Sequence, residues 1–116
     1  LSYPVPATII GISVLKNNSG LGEAIAAIAY TGKQPVLIHD YHFGGYAKHS
    51  PQLIAFMNDF YTKTGIPSDF VYTGKLFYAI RDLIVNNYFA PGSKLLVIHS
   101  GGLQGNDSLS KGTLIF

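Results

Sequence analysis

Three short apolar runs constrain this chain more than any other feature in it. ATIIGISVL (Ala7 to Leu15), PVLIHDY (Pro35 to Tyr41) and KLLVIH (Lys94 to His99) are brief and rich in β-branched residues. Their apolar residues are consecutive rather than alternate, so they read as strands covered on both faces, as in parallel sheets. Helical segments separate them. Ala24 to Tyr30 is alanine-rich, with Gly32 placed to end it. Ser50-Pro51 pairs a capping hydroxyl with a proline at the first helical position. It predicts a helix to about Lys63, with Leu53, Met57, Phe60 and Tyr61 along one stripe. A second helix is expected from about Lys75 to Asn87, sharing Leu76, Ile80, Leu83, Ile84 and Asn87 on one face. A last short strand is expected at Thr113 to Phe116. Strands alternating with helices give an α/β class with a largely parallel sheet.

Such a sheet needs helices on both faces, and only about three segments have helical character. The charged fraction points the same way: 12% of the 116 residues, against a usual value of about 25%. With 47% hydrophobic residues, the chain is rich in core and poor in outer surface. It is expected to be part of a larger domain, and Leu1 is not an initiator methionine. Net charge is +2, with lysines and arginines scattered singly, so no nucleic-acid footprint is expected. No apolar run approaches the 20 or so residues of a membrane helix. The absence of cysteine leaves no disulfide frame and no thiolate site. A cytoplasmic location is the expectation.

Ligands of open α/β sheets bind beyond the carboxyl ends of the strands. Two glycine loops stand at such ends: Phe43-Gly44-Gly45-Tyr46 and Ser100-Gly101-Gly102. Each reads either as a tight turn or as a backbone cradle for an anion. Neither is a dinucleotide or phosphate-loop fingerprint. His39, His42, His49 and His99 offer no clear metal set and are expected to hydrogen-bond at strand ends. Lys75, near a helix start, is expected to be a solvated surface lysine rather than a nucleophile.

Three blocks, HDYHFGGYAKHSP (His39 to Pro51), DFVYTGKLFYAIRDL (Asp69 to Leu83) and LLVIHSGGLQGN (Leu95 to Asn106), together resemble one family. It is the branch of fold-type II pyridoxal-phosphate enzymes that contains 1-aminocyclopropane-1-carboxylate deaminase and D-cysteine desulfhydrase. The resemblance implies a partial parallel-sheet sandwich: residues 1–116 would be the C-terminal portion of the large cofactor-binding domain. The family's Schiff-base lysine, its segment for the substrate carboxylate and its phosphate loop would all lie N-terminal to the matched blocks. Lys75 does not replace that lysine, and the 116 residues alone are expected to be inactive.

By the same resemblance, Tyr72 matches the tyrosine that stacks on the cofactor ring, and Tyr46 a second tyrosine facing the substrate. These two are the catalytic candidates. Tyr72, Thr73, Ser100 and Gly101 are the cofactor-binding candidates. Thr73 stands where the deaminases carry glutamate and desulfhydrase-like members threonine, and its hydroxyl is expected to address the polar edge of the cofactor. Ser100 stands where desulfhydrase-like members carry a threonine that bonds the pyridine nitrogen. A hydroxyl partner there favours the unprotonated nitrogen, a weaker electron sink that suits elimination of a good leaving group. The expected activity of the parent is therefore D-cysteine desulfhydrase-like β-elimination, giving keto acid, ammonia and sulfide. The alternatives are 1-aminocyclopropane-1-carboxylate deamination, a non-catalytic binding module of the same fold, and an unrelated small α/β domain. The implied partners are a small amino-acid substrate and a second copy of the chain, with no nucleic acid and no membrane.

Overall fold

A computed structural model describes residues 7–16 and 35–116. Two strands, β1 (Ile10–Ile12) and β2 (Val36–Ile38), pair in parallel with Ile10 opposite Val36 and Ile12 opposite Ile38. The ladder extends by one bond at each end, from Val36 N–H to Ile9 O and from Ser13 N–H to Ile38 O. Glycine at position 11 lets the strands pair without displacing Leu37, whose Cδ2 atom would stand 3.0 Å from a Cβ there. The α/β class is thus present with parallel pairing, over shorter strands than the apolar runs. The expected helix from Ala24 to Tyr30 lies outside the described residues.

Helix α1 (Pro51–Thr64) begins as its sequence dictates. Ser50 Oγ accepts from the Leu53 amide at 3.2 Å, and Pro51 occupies the first turn, where its missing N–H costs nothing. Gly65 ends the helix in the left-handed conformation at φ 73°, its N–H returning to Tyr61 O. Leu53, Phe56 and Met57 are the buried face. Helix α2 (Thr73–Val85) starts two residues before its expected position. It also turns a different stripe inward. Lys75, Ala79 and Leu83, four apart, are buried, while Ile84 is 52% exposed and Leu76 and Ile80 are only half-buried. Close approach contributes: Gly74 lies against Met57 of α1, so the start of α2 packs closely on the neighbouring helix.

The core is Leu53, Phe56, Met57, Phe70 and Val71. An aromatic chain rims it. Phe56 stacks on Phe60 and Phe60 on Phe77 at centroid distances of 5.5 and 4.8 Å, while Phe43 and Phe56 meet Tyr78 edge-on at 4.9 and 5.3 Å. Such contacts add about 0.5–1.5 kcal/mol each beyond area burial.

Two expected strands do not form. Residues 94–99 have no ladder partner among the described residues, and Leu96 and Ile98 are 91% and 72% exposed. An apolar run shows that a segment can be buried, but a strand also needs a neighbour to bond. His99 instead ties the end of this run to the loop before α2, its Nε2 lying 2.8 Å from Pro67 O. The tail is held by a side chain in place of a strand. Asn58 Nδ2 donates to Thr113 O and Asn58 Oδ1 accepts from the Ile115 amide. After the third run comes a 3-10 turn, Leu103–Ser108. Among the described residues no helix is long and apolar enough to cross a membrane.

Candidate functional site

The site is organised around a buried carboxylate. Asp69 is 0% exposed, and its two oxygens accept four hydrogen bonds from three residues, Val71, Tyr72 and Thr73. Oδ2 takes the amides of Val71 and Tyr72 at 2.8 and 2.7 Å. Oδ1 takes the amide and the hydroxyl of Thr73 at 2.9 and 2.6 Å. An aspartate four residues ahead of a threonine thereby closes the start of α2, where unpaired N–H groups and the helix dipole both favour negative charge. The Gly74 amide adds a bond to Asp69 O at 2.7 Å.

The Thr73 hydroxyl, expected to address a cofactor's polar edge, is engaged within the chain. It donates to Asp69 Oδ1 and accepts from the Asp69 amide at 2.8 Å, and the residue is 1% exposed. The side chain is turned into the loop and not toward an open face. Tyr72, one residue earlier, points the other way and is 47% exposed.

Tyr46 meets it there. The two rings stand edge to face at 5.9 Å, and Tyr72 OH donates to Tyr46 OH at 3.1 Å. The hydrogen bond to Tyr46 is the main cause that raises the Tyr72 phenol above its ordinary pKa, followed by burial and by the charges of Tyr46 and Asp69. Tyr72 is therefore a neutral donor at neutral pH. The structure brings together the two tyrosines singled out in the sequence, from segments 26 residues apart.

Ser100 and Gly101 sit on a loop fixed to the same frame at two points. On one side His99 bonds Pro67 O and lies 5.6 Å from the Phe77 ring, and its Nδ1 accepts the Gly101 amide at 3.0 Å. On the other, Gly102 and Gly105 lie beside the Asp69 carboxylate, where a Cβ on either would make ordinary contact with its oxygens at 3.6 and 3.5 Å. Asn106 completes the tie, accepting from the Phe70 amide at 3.0 Å and donating to Ser68 O at 2.9 Å. Gly101 and Gly102 are both left-handed, at φ 81° and 83°. Ser100 is exposed on this loop, and around Gly101 there is open space. Asp69 and Asn106 are the organising residues that sequence reasoning passed over. The signal was present: an aspartate before a helix start is a capping pattern.

Lys75 corrects an expectation. It is 0% exposed, and its Nζ donates to the carbonyl oxygens of His42 and Gly45 at 2.7 and 3.0 Å. Burial lowers its pKa from 10.5 to about 8, opposed by the charge of Asp69. Between those two pH values the unfolded lysine holds a proton that the folded one has released. Unfolding free energy therefore rises with pH across this window, by at most about 3 kcal/mol. We expect the stability difference between wild type and Lys75→Met to grow in favour of wild type as pH is raised from 8 to 10.5. Denaturant titrations at several pH values measure it, and a difference that stays flat would refute the shift.

The histidines serve as hydrogen-bonding or packing groups. His42 Nδ1 accepts the Gly44 amide at 3.0 Å, and His49 meets Phe70 edge-on at 5.2 Å. Among the described residues no group of three or more His, Cys, Asp or Glu is placed to hold a metal ion.

Comparison with known proteins gives a consistent direction. The chain is 38% identical to a protein of Pyrococcus furiosus named "Putative 1-aminocyclopropane-1-carboxylate deaminase", over 63% of this chain and 22% of that protein. It is 40% identical to proteins of the same name from Pyrococcus horikoshii and Pyrococcus abyssi, over 59% of this chain and 20% of each. The chain thus matches about a fifth of the length of these relatives. No protein-family model matches it, and no solved structure does.

Proposed function

We propose that these residues are part of the cofactor face of a pyridoxal-phosphate enzyme acting on a small amino acid, within the partial parallel-sheet sandwich of a fold-type II domain. The observation that carries this reading is the exposed Tyr46–Tyr72 pair, held side by side next to the buried Asp69, Thr73 and Lys75. The residues suit a planar ligand. Tyr72 presents an exposed ring at a helix start, Ser100 an exposed hydroxyl on the loop tied to Asp69, and Gly101 adds no side chain beside it. Pyridoxal phosphate, when bound, supplies an electron sink for bond cleavage at the substrate.

In this reading Tyr72 stacks on the ring and orients it, and Ser100 offers its hydroxyl to the pyridine nitrogen. Tyr46 accepts the Tyr72 proton donor and faces the substrate with its own hydroxyl. Thr73 positions Tyr72 through Asp69 instead of touching the ligand. No carboxylate stands at position 73 to reach the ring nitrogen, which keeps desulfhydrase-like β-elimination of D-cysteine as the first reading. The names of the Pyrococcus relatives favour a second, opening of 1-aminocyclopropane-1-carboxylate with loss of ammonia. The exposed Leu96 and Ile98 belong to the same proposal, as surface covered by further chain or a second copy in a cytoplasmic parent enzyme.

The test uses the intact protein that carries this segment. Its visible absorption is recorded, then D-cysteine and 1-aminocyclopropane-1-carboxylate are added separately and sulfide, ammonia and keto acid are assayed. A cofactor band with sulfide from D-cysteine and little ammonia from the cyclopropane is the expected result. Equal turnover of the two would favour the second reading. No band would sink both.

A further inference from the structure

The turn that carries Tyr46 is one the backbone resists. Phe43 and Ala47 are left-handed without being glycine, at φ 54° and 55°, and Gly44 and Gly45 between them lie at φ 101° and 120°. Non-glycine residues in that region are disfavoured and persist only where surroundings over-determine them. Two successive tight bonds shape the turn, from Gly45 N–H to His42 O and from Lys48 N–H to Gly45 O, at 3.2 and 3.1 Å. The same two carbonyl oxygens receive Lys75 Nζ. Lys75 lies on α2, one turn beyond Tyr72. One buried side chain therefore spans the two segments that bring the phenols together.

We infer that Lys75 is a positioning residue: its Nζ clamps the turn ending at Gly45 onto the helix beginning after Tyr72, and so sets where the Tyr46 hydroxyl meets the Tyr72 hydroxyl. The clamp needs two N–H donors, which both the ammonium and the amine provide. Its value for catalysis rests on the pyridoxal-phosphate reading above, but the clamp itself does not.

The experiment compares wild type with Lys75→Met in the intact protein. Met keeps the length and apolar stem of lysine and removes the donors. Amide hydrogen exchange reads the turn at Gly45 and Lys48, and ring-to-ring nuclear Overhauser contacts read Tyr46 against Tyr72. Amides in the middle of α1 and α2 report the fold. We expect protection at Gly45 and Lys48 to fall by about tenfold or more, and the tyrosine contact to vanish, while the helix amides keep theirs. A folded Met variant with the turn protection and the tyrosine contact unchanged would overturn the inference. If Met does not fold, Lys75→Gln, which keeps an N–H₂ group, should retain more of the turn protection. Native-state reductive methylation of the wild type decides independently of any variant. Lys75 should react at least about tenfold more slowly than Lys63, whose side chain is 71% exposed, and equal rates would overturn the clamp. The visible cofactor band is recorded alongside. Its absence from wild type would remove the pyridoxal reading and leave the turn measurement valid.

Discussion

Replacing Asp69 with alanine is expected to cost about 4 kcal/mol of stability. The carboxylate accepts three backbone N–H groups and the Thr73 hydroxyl inside a loop with no access to water. Alanine leaves those donors unpaired, and a buried unsatisfied donor costs roughly 1–3 kcal/mol. The loss would not stay local, since Gly102 and Gly105 pack on the same carboxylate and carry the Ser100-Gly101 loop. Asp69→Asn should fall between, because its amide keeps one acceptor oxygen and turns an N–H₂ toward donors. Denaturant midpoints with an unchanged slope give the comparison. A loss below about 1 kcal/mol for the alanine variant would show that water or a rearranged loop replaces the carboxylate.

Gly74→Ala comes second, with an expected loss of about 2–3 kcal/mol. Alanine is normally worth about 1 kcal/mol over glycine inside a helix. Here the added Cβ would stand 2.6 Å from Asp69 O, 2.9 Å from Met57 Sδ and 3.0 Å from Met57 Cγ. Met57 can shift, but the Asp69 carbonyl is backbone and is already bonded by the Gly74 amide. The clash therefore outweighs the propensity gain. Gly92→Ala is a useful contrast: it has open space around it and pays only for its left-handed backbone at φ 80°. If Gly74→Ala proved neutral or stabilising, α1 and α2 would not be held as closely as Gly74 indicates, and the inward stripe of Lys75, Ala79 and Leu83 would need another cause.

Much of this protein was determined by its sequence alone, wherever the cause is local. Ser50-Pro51 and Gly65 set both ends of α1, because a capping hydroxyl, a fixed φ and a left-handed glycine act within one turn of chain. The apolar runs at Ala7 to Leu15 and Pro35 to Tyr41 fixed parallel pairing in kind, since only a sheet covered on both faces wants consecutive apolar residues. Tyr46 and Tyr72 were singled out by the family resemblance of the segments that hold them, and the fold sets their hydroxyls 3.1 Å apart. Other features depend on partners distant in sequence, and only the tertiary structure decided those. Residues 94–99 had the composition of a strand, but composition cannot supply the neighbour a ladder requires. Thr73 carried a hydroxyl that its own sequence context could send outward or inward, and the Asp69 carboxylate took it inward. Lys75 read as a solvated surface lysine because lysine at a helix start usually is. Two carbonyl oxygens 30 and 33 residues away made it a buried clamp, by offering the acceptors that make burial of an amine tolerable.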